Sequence, residues 1–396
     1  MERQETGSFS LMKNINMALV LKIIRENENI SRAHVAKISG LTPATVTNLT
    51  YELIAMNLVE EAERGVSRGG RKPVMLRMRK DVFAVAGVYI GSKVIQIVLA
   101  DLDANVLKKE QITRLHGLTQ EDALARVVGI IKKLMGETDL KIIGIGVGFH
   151  GLVKRGEGIA VFAPNLGWEN VRVQDILESE FHIPVVVDND VRAMTVGERY
   201  VGMAKNNEDF ILLYVGSGIG GSIVMNNNLY AGATGVAGEF GHTTVLPDGP
   251  LCTCGNRGCL QALASEGAII ERYRVLSEND AQVDFEYVLQ KALAGDRPAV
   301  KAISDSAHYI GIAVANLINI FNPSMVIISG NIARMGSMVM AILNEEVNRR
   351  CMEYTQNSTR IVFANNKNEA FLRGAASLVI SELLQNPARI PVSSGL

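Results

Sequence analysis

The sequence predicts a mostly helical, positively charged head followed by an α/β body with two sheets, and three observations carry that reading. The chain has 396 residues, 47% of them hydrophobic, more than one core usually organises and enough to fill several. Its charge is uneven: residues 1–80 hold 13 Lys and Arg against 8 Asp and Glu, a balance of +5, and the remainder carries −6. From Val82 onward the pattern changes to long apolar strands alternating with helical periodicity.

Three start-and-stop signals order the head. Residues 12–26 place Leu19, Val20, Ile23 and Ile24 on one helical face. A second helix begins at Ser31, a good N-cap, with Ile30 able to staple onto Val35 and Gly40 supplying a left-handed stop. After a short turn, Thr42 caps a third helix, Pro43 occupies its first position, Leu41 staples onto Val46, and the helix runs to about Met56. Two helices joined by such a turn form a helix-turn-helix, whose second helix offers its N-terminal residues to the DNA major groove. Here those are Ala44, Thr45, Thr47 and Asn48, while Val46, Leu49 and Leu53 face the core. A strand at Leu58–Glu60, a Gly-containing loop and a returning strand at Val74–Met78 add a wing. Its tip carries Arg68, Arg71 and Lys72, cations of the kind that enter a narrow minor groove. A protein-docking helical bundle with a charged linker is the competing reading of the same segment.

In the body, strands are expected at Val82–Ile90, Val94–Ala100, Ile142–Gly148, Val185–Val187, Phe210–Val215 and Met325–Ile328, with helices at Glu121–Met135 and Ala307–Phe321. Three clusters within it carry chemistry. Gly216-Ser217-Gly218-Ile219-Gly220-Gly221 follows a strand and lets backbone amides approach an anion or a hydroxyl, although a tight hairpin needs the same residues. Asp188-Asn189-Asp190 ends a buried strand and suits either hydroxyl binding or simple helix capping. His242, Cys252, Cys254 and Cys259, spaced H-x9-C-x-C-x4-C, supply an imidazole and three thiolates for a closed tetrahedral Zn2+ site, structural because no position remains for a catalytic water. The chain has four cysteines, and three of them crowd into this cluster, which excludes a disulfide framework; Cys351 reads as a buried apolar residue.

A net charge of −1 excludes a nucleic-acid-coating or disordered polyelectrolyte. No apolar run approaches the roughly 18 residues of a membrane span, so a soluble cytoplasmic protein without a membrane partner is expected.

Asn165-Leu166-Gly167-Trp168, Asn189-Asp190 with Glu198, Gly235-Val236-Ala237-Gly238-Glu239-Phe240-Gly241-His242 and Cys252-Thr253-Cys254-Gly255-Asn256-Arg257-Gly258-Cys259 together resemble the ROK family of repressors, open reading frames and kinases, from the first helix to near Ser381. The resemblance implies an actin-like (ribonuclease H-like) two-lobe ATPase fold behind the winged helix-turn-helix, with a sugar held between the lobes. It implies domains at 1–73 (head with wing and linker), 80–188 (first lobe, completed by a helix at about 369–386) and 189–368 (second lobe with the zinc loop). It also implies sugar contacts from Gly151, Asn165, Asn189, Asp190, Glu239, His242 and Gln261, with His242 shared between zinc and sugar side.

Two departures qualify the carry-over. Family kinases have D-x-G-G-T-K in the first hairpin, and this chain has Tyr89-Ile90-Gly91-Ser92-Lys93, without the carboxylate that positions magnesium. Gln261 stands where most members place Glu. The expected function is a sugar-responsive transcriptional repressor that binds operator DNA as a homodimer or homotetramer. A sugar kinase with an accessory helical head and a protein-binding adaptor are the alternatives, and the sugar, whether xylose, glucose, N-acetylglucosamine or a short oligosaccharide, stays open.

Overall fold

The computed structural model describes residues 9–64, 73–113, 115, 117–163, 166–278, 283–365 and 369–391. The chain divides into two compact units, Met1–Gly151 with Gly156–Asp188 and Ala375–Leu396, and Leu152–Arg155 with Asn189–Gly374.

The first unit opens with helices α1 (Phe9–Glu26), α2 (Arg32–Ser39) and α3 (Pro43–Ala55). The Ser31 side chain accepts from the His34 N–H, and Gly40 ends α2 at φ 70°, a conformation that a Cβ makes costly. Thr42 accepts from the Thr45 N–H and Pro43 follows it, as the cap signals require. Val20, Leu21, Ile23, Ile24, Val35, Val46, Leu49 and Leu53 are buried, whereas Leu19 is only half-buried. A three-stranded antiparallel sheet completes the head in the order β1 (Ile30–Ser31), β3 (Val74–Met78), β2 (Val59–Arg64). Ile30, read in sequence as a helix staple, is thus a strand residue opposite Leu76. The head's sheet continues to Met78, beyond the boundary expected at 73, because β3 is its central strand.

The rest of this unit is built on a five-stranded sheet in the order β11 (Val185–Asn189), β7 (Lys141–Phe149), β4 (Phe83–Ile90), β5 (Ile95–Ala100), β6 (Val106–Ile112). β4, β5 and β6 are an antiparallel meander and β7 runs parallel to β4. The Thr119 hydroxyl caps α4 (Gln120–Gly136), which buries Leu124, Val127, Ile131 and Leu134 at helical spacing. Strand β8 (Leu152–Lys154) precedes an antiparallel pair, β9 (Ile159–Ala163) and β10 (Trp168–Val171), and α5 (Val173–Phe181) follows.

The second unit repeats the plan. After α6 (Asp190–Val201) comes a sheet ordered β14 (Asn228–Leu229), β13 (Ile219–Met225), β12 (Phe210–Val215), β15 (Met325–Ser329), β16 (Arg360–Phe363). Here too three strands are an antiparallel meander, and β15 runs parallel to β12 and β16 to β15. Helices α7 (Leu260–Ala264), α8 (Glu266–Ser277), α9 (Phe285–Leu293), the 25-residue α10 (Arg297–Phe321) and α11 (Ser337–Arg350) enclose one core with Ile211, Leu213 and Val215. α6 packs with Phe210 and Leu212 on the other face, and α12 (Glu353–Ser358) is short. The last helix, α13 (Ala370–Gln385), begins in the second unit and continues in the first from Ala375. There it lies so close to β7 that a Cβ on Gly146 would fall 1.8 Å from the Ala375 carbonyl oxygen. Among the described residues, no helix is long and apolar enough to cross a membrane.

Candidate functional site

In the head, packing sorts the residues of α3. Val46, Leu49, Thr50 and Leu53 are buried, and Ala44, Asn48 and Tyr51 are exposed at i, i+4 and i+7. The hydroxyls between them are occupied. Thr45 Oγ1 lies 2.8 Å from Thr42 Oγ1, and Thr47 Oγ1 donates to the Pro43 carbonyl at 2.8 Å. Tyr51, which periodicity did not single out, is 61% exposed and carries the Arg32 guanidinium 5.4 Å from its ring centroid. Arg32 also bonds Glu61 at 2.8 Å. Arg68, Arg71 and Lys72 lie outside the described residues.

In the second unit, the turn into α6 brings Asn189 and Asp190 together. Asn189 Oδ1 accepts from the N–H groups of Val191 and Arg192, so the residue caps the helix whatever else its amide binds. Asp190 is buried, with Oδ1 accepting from the Val191 N–H at 2.9 Å. Arg192, absent from the sequence-derived set, donates to the Gly235 carbonyl at 3.3 Å and ties α6 to the Gly235–His242 segment. That segment presses onto β13, where a Cβ on Gly238 (φ +110°) would fall 2.2 Å from the Gly221 carbonyl oxygen. Glu198 has a structural task, receiving the Met203 N–H at 2.8 Å just past the end of α6. Gly151 falls in the first unit, and Asn165 lies outside the described residues.

His242 closes the segment with its two ring nitrogens facing different partners. Nδ1 is 3.7 Å from Cys252 Sγ, and Nε2 is 4.0 Å from a Glu239 carboxylate oxygen. Cys254 and Cys259 sulfurs stand 3.7 Å apart, and the four ligand atoms all lie within 4.8 Å of one another. Zn–S bonds near 2.3 Å imply tetrahedral edges of about 3.8 Å, so donor set and spacing both fit a zinc ion. The Asn256 N–H lowers the Cys254 thiol to about 7, while burial and the neighbouring thiols push Cys259 up to about 12.

Gln261, at the start of α7, joins this cluster to the glycine-rich hairpin. Its Oε1 accepts from the Ile219 N–H at 3.1 Å and its Nε2 donates to Thr253 Oγ1 at 3.3 Å. The hairpin is tight, with the Gly216 N–H bonded to the Gly218 carbonyl at 2.9 Å. Tyr214 lies against it: a Cβ on Gly216 would fall 2.4 Å from the phenol oxygen. Burial, reinforced by the Glu266 and Asp190 carboxylates, holds that phenol well above its ordinary value, so it stays protonated. The first unit repeats the arrangement, since a Cβ on Gly91 would fall 2.7 Å from the Tyr89 ring.

The model of the ROK family matches residues 85–382. The chain belongs to the ROK family. It is 37% identical over 396 residues to a protein of Caldicellulosiruptor bescii named xylose repressor, covering 96% of this chain and 99% of that one. It is 30% identical to the N-acetylglucosamine repressor of Escherichia coli O157:H7, covering 90% of each. Among solved structures it resembles a ROK family transcriptional regulator, a homologue of the Escherichia coli MLC protein, with a TM-score of 0.86, 28% identity and coverage of 95% and 97%. A ROK glucokinase of Streptomyces griseus, solved with glucose and AMPPNP, matches at a TM-score of 0.66 and 28% identity, covering 74% of this chain and 98% of that one. The repeated sheet accords with the sugar-kinase type of fold in the ROK family. The ROK match begins at residue 85, after the head. Of the expected sugar positions, Asn189, Asp190, Glu239, His242 and Gln261 all fall in one unit. Arg192 reaches the Gly235–His242 segment only through tertiary contact and carries no spacing signal.

Proposed function

We propose that the protein is a transcriptional repressor of sugar-utilisation genes, whose winged helix-turn-helix binds operator DNA and whose ROK body lowers or raises that affinity when it binds a sugar. The observation carrying this reading is that repressor relatives align along nearly the whole chain, head included, whereas the glucokinase leaves about a quarter of it unmatched. Ala44, Thr45, Thr47 and Asn48 lie in the major groove, and Arg68, Arg71 and Lys72 reach the minor groove. Two copies read two half-sites about one helical turn apart.

The sugar is held by Asn189, Asp190, Glu239, His242 and Gln261, all within the second unit. Carboxylates at Asp190 and Glu239 accept from sugar hydroxyls, and the His242 Nε2 faces the same side as Glu239. A Zn2+ ion would be held by His242, Cys252, Cys254 and Cys259, a closed donor set that would supply rigidity rather than catalysis. His242, so held, would keep a fixed imidazole orientation beside Glu239. The sugar must favour one DNA-binding arrangement over the other, because equal affinity for both would shift nothing.

Asp190 and the glycine-rich hairpin also suit a sugar kinase. Tyr89 and Tyr214 oppose that reading: phosphoryl transfer rests on positioning and charge neutralisation, and a phenol lies against the turn glycine of both hairpins. Sugar-dependent ATP turnover abolished by Asp190→Asn would establish the kinase instead. The deciding test is duplex binding by zinc-loaded protein to fragments upstream of sugar-utilisation genes, with D-xylose and N-acetylglucosamine as first effectors. One fragment should bind specifically, and one sugar should change its affinity. Tight sugar binding that leaves operator affinity untouched overturns the mechanism.

A further inference from the structure

We propose that Asn48 is the side chain of α3 that reads base identity, and that it reads an adenine in each operator half-site. The inference rests on the head being an operator-binding domain. It begins from what the other groups on α3 are already doing.

A base edge in the major groove is recognised by side chains that present two hydrogen-bonding atoms together, and each kind of pair suits one base. Guanine offers two acceptors and calls for Arg or Lys, but α3, Pro43 to Ala55, contains neither. Cytosine offers a donor and calls for a carboxylate. The one carboxylate of α3, Glu52, is held by Lys13 at 2.8 Å. Thr45 and Thr47 have hydroxyls engaged with Thr42 and Pro43 within the same turn. Ala44 contributes a methyl group alone.

Asn48 differs from all of these. It is exposed, it stands one turn beyond Ala44 on the same ridge, and its amide makes no hydrogen bond among the described residues. A carboxamide presents one acceptor and one donor side by side, the complement of adenine N6–H2 and N7. Its backbone is rigid, because Val46, Leu49 and Thr50 around it are buried and the Thr50 hydroxyl is bonded at 2.6 Å to the Val46 carbonyl. With Ala44 on the same ridge able to meet a thymine methyl, α3 is built for an A·T-containing half-site.

The test is selection of binding sites from a randomised duplex pool by the full-length zinc-loaded protein and by Asn48→Ala. The wild type should enrich paired half-sites with an invariant adenine, and Asn48→Ala should lose that preference. Specific affinity should then fall roughly five- to a hundredfold, the range of one bidentate contact, with an unchanged salt slope because no phosphate contact is removed. Replacing that adenine by 7-deazaadenine, which deletes N7, should weaken the wild type and leave Asn48→Ala indifferent. Asn48→Arg should move the preference to guanine. If the wild type enriches a site whose adenine preference survives Asn48→Ala, the assignment is overturned while the repressor reading stands. If the wild type enriches no site, the reading of the head itself falls.

Discussion

Gln261 holds both ends of its amide in use, receiving the Ile219 N–H and donating to the Thr253 hydroxyl. It therefore braces the hairpin against the His242–Cys259 cluster even before a sugar is considered. Gln261→Leu removes the partner of a half-buried backbone donor and should cost about 1–2 kcal/mol of stability, measured by denaturant unfolding with zinc present. An unchanged stability would mean that the bridge carries no weight. The four metal ligands make a sharper case. Cys259→Ala should lower bound zinc from one per chain to none, read by metal analysis, because no other ligand atom stands close enough among the described residues to replace the sulfur.

Close packing and charge pairing decide matters at the level of elements. Gly146→Ala sets a methyl 1.8 Å from a backbone oxygen of α13, which can yield only if the helix moves. A loss of about 3 kcal/mol is expected, seen as an earlier urea midpoint. Between α9 and the turn before α11, Arg334 hydrogen-bonds Glu286 and, with Gln290, holds its carboxyl down at about 2, below the ordinary 4.5. A carboxyl depressed on folding stabilises above its unfolded value and loses that contribution as pH falls through the folded one. Arg334→Gln should therefore lower Tm modestly at neutral pH, and the gap to wild type should close as pH falls from 4.5 toward 2. A gap that persists at the acid end would sink this account. Glu346 shows a different balance: burial pushes its carboxyl up, but hydrogen bonds from Arg350 and Arg349 and the nearby His308 outweigh burial and hold it below its ordinary value.

For the molecule as a whole, the proposed function links sugar, DNA and the His242 cluster through one chain, and that linkage can be measured without a partner protein. Stripping zinc with a chelator should abolish the effect of sugar on operator binding while sugar-free operator binding persists, because the metal ligands belong to the second unit and the head to the first. Loss of operator binding on chelation would instead make the metal part of the DNA-reading apparatus. The head and the metal cluster were legible in the amino-acid order because their chemistry is local. Ser31, Gly40, Thr42 and Pro43 each act on a neighbour within one helical turn, and the four metal ligands span residues 242–259. The sheet plan, the Arg192 grip on Gly235, the Gln261 strut and the Arg32–Tyr51–Glu61 group were not legible. The Arg192–Gly235, Gln261–Ile219, Arg32–Tyr51 and Arg32–Glu61 contacts join residues 19 to 43 positions apart, the sheets join strands from distant segments, and no helical or strand period links such positions. Local caps and short ligand spacings are written in the order of residues; which hydroxyls of α3 are occupied, and which amide is left to meet a base, depends on how the folded chain distributes its hydrogen bonds.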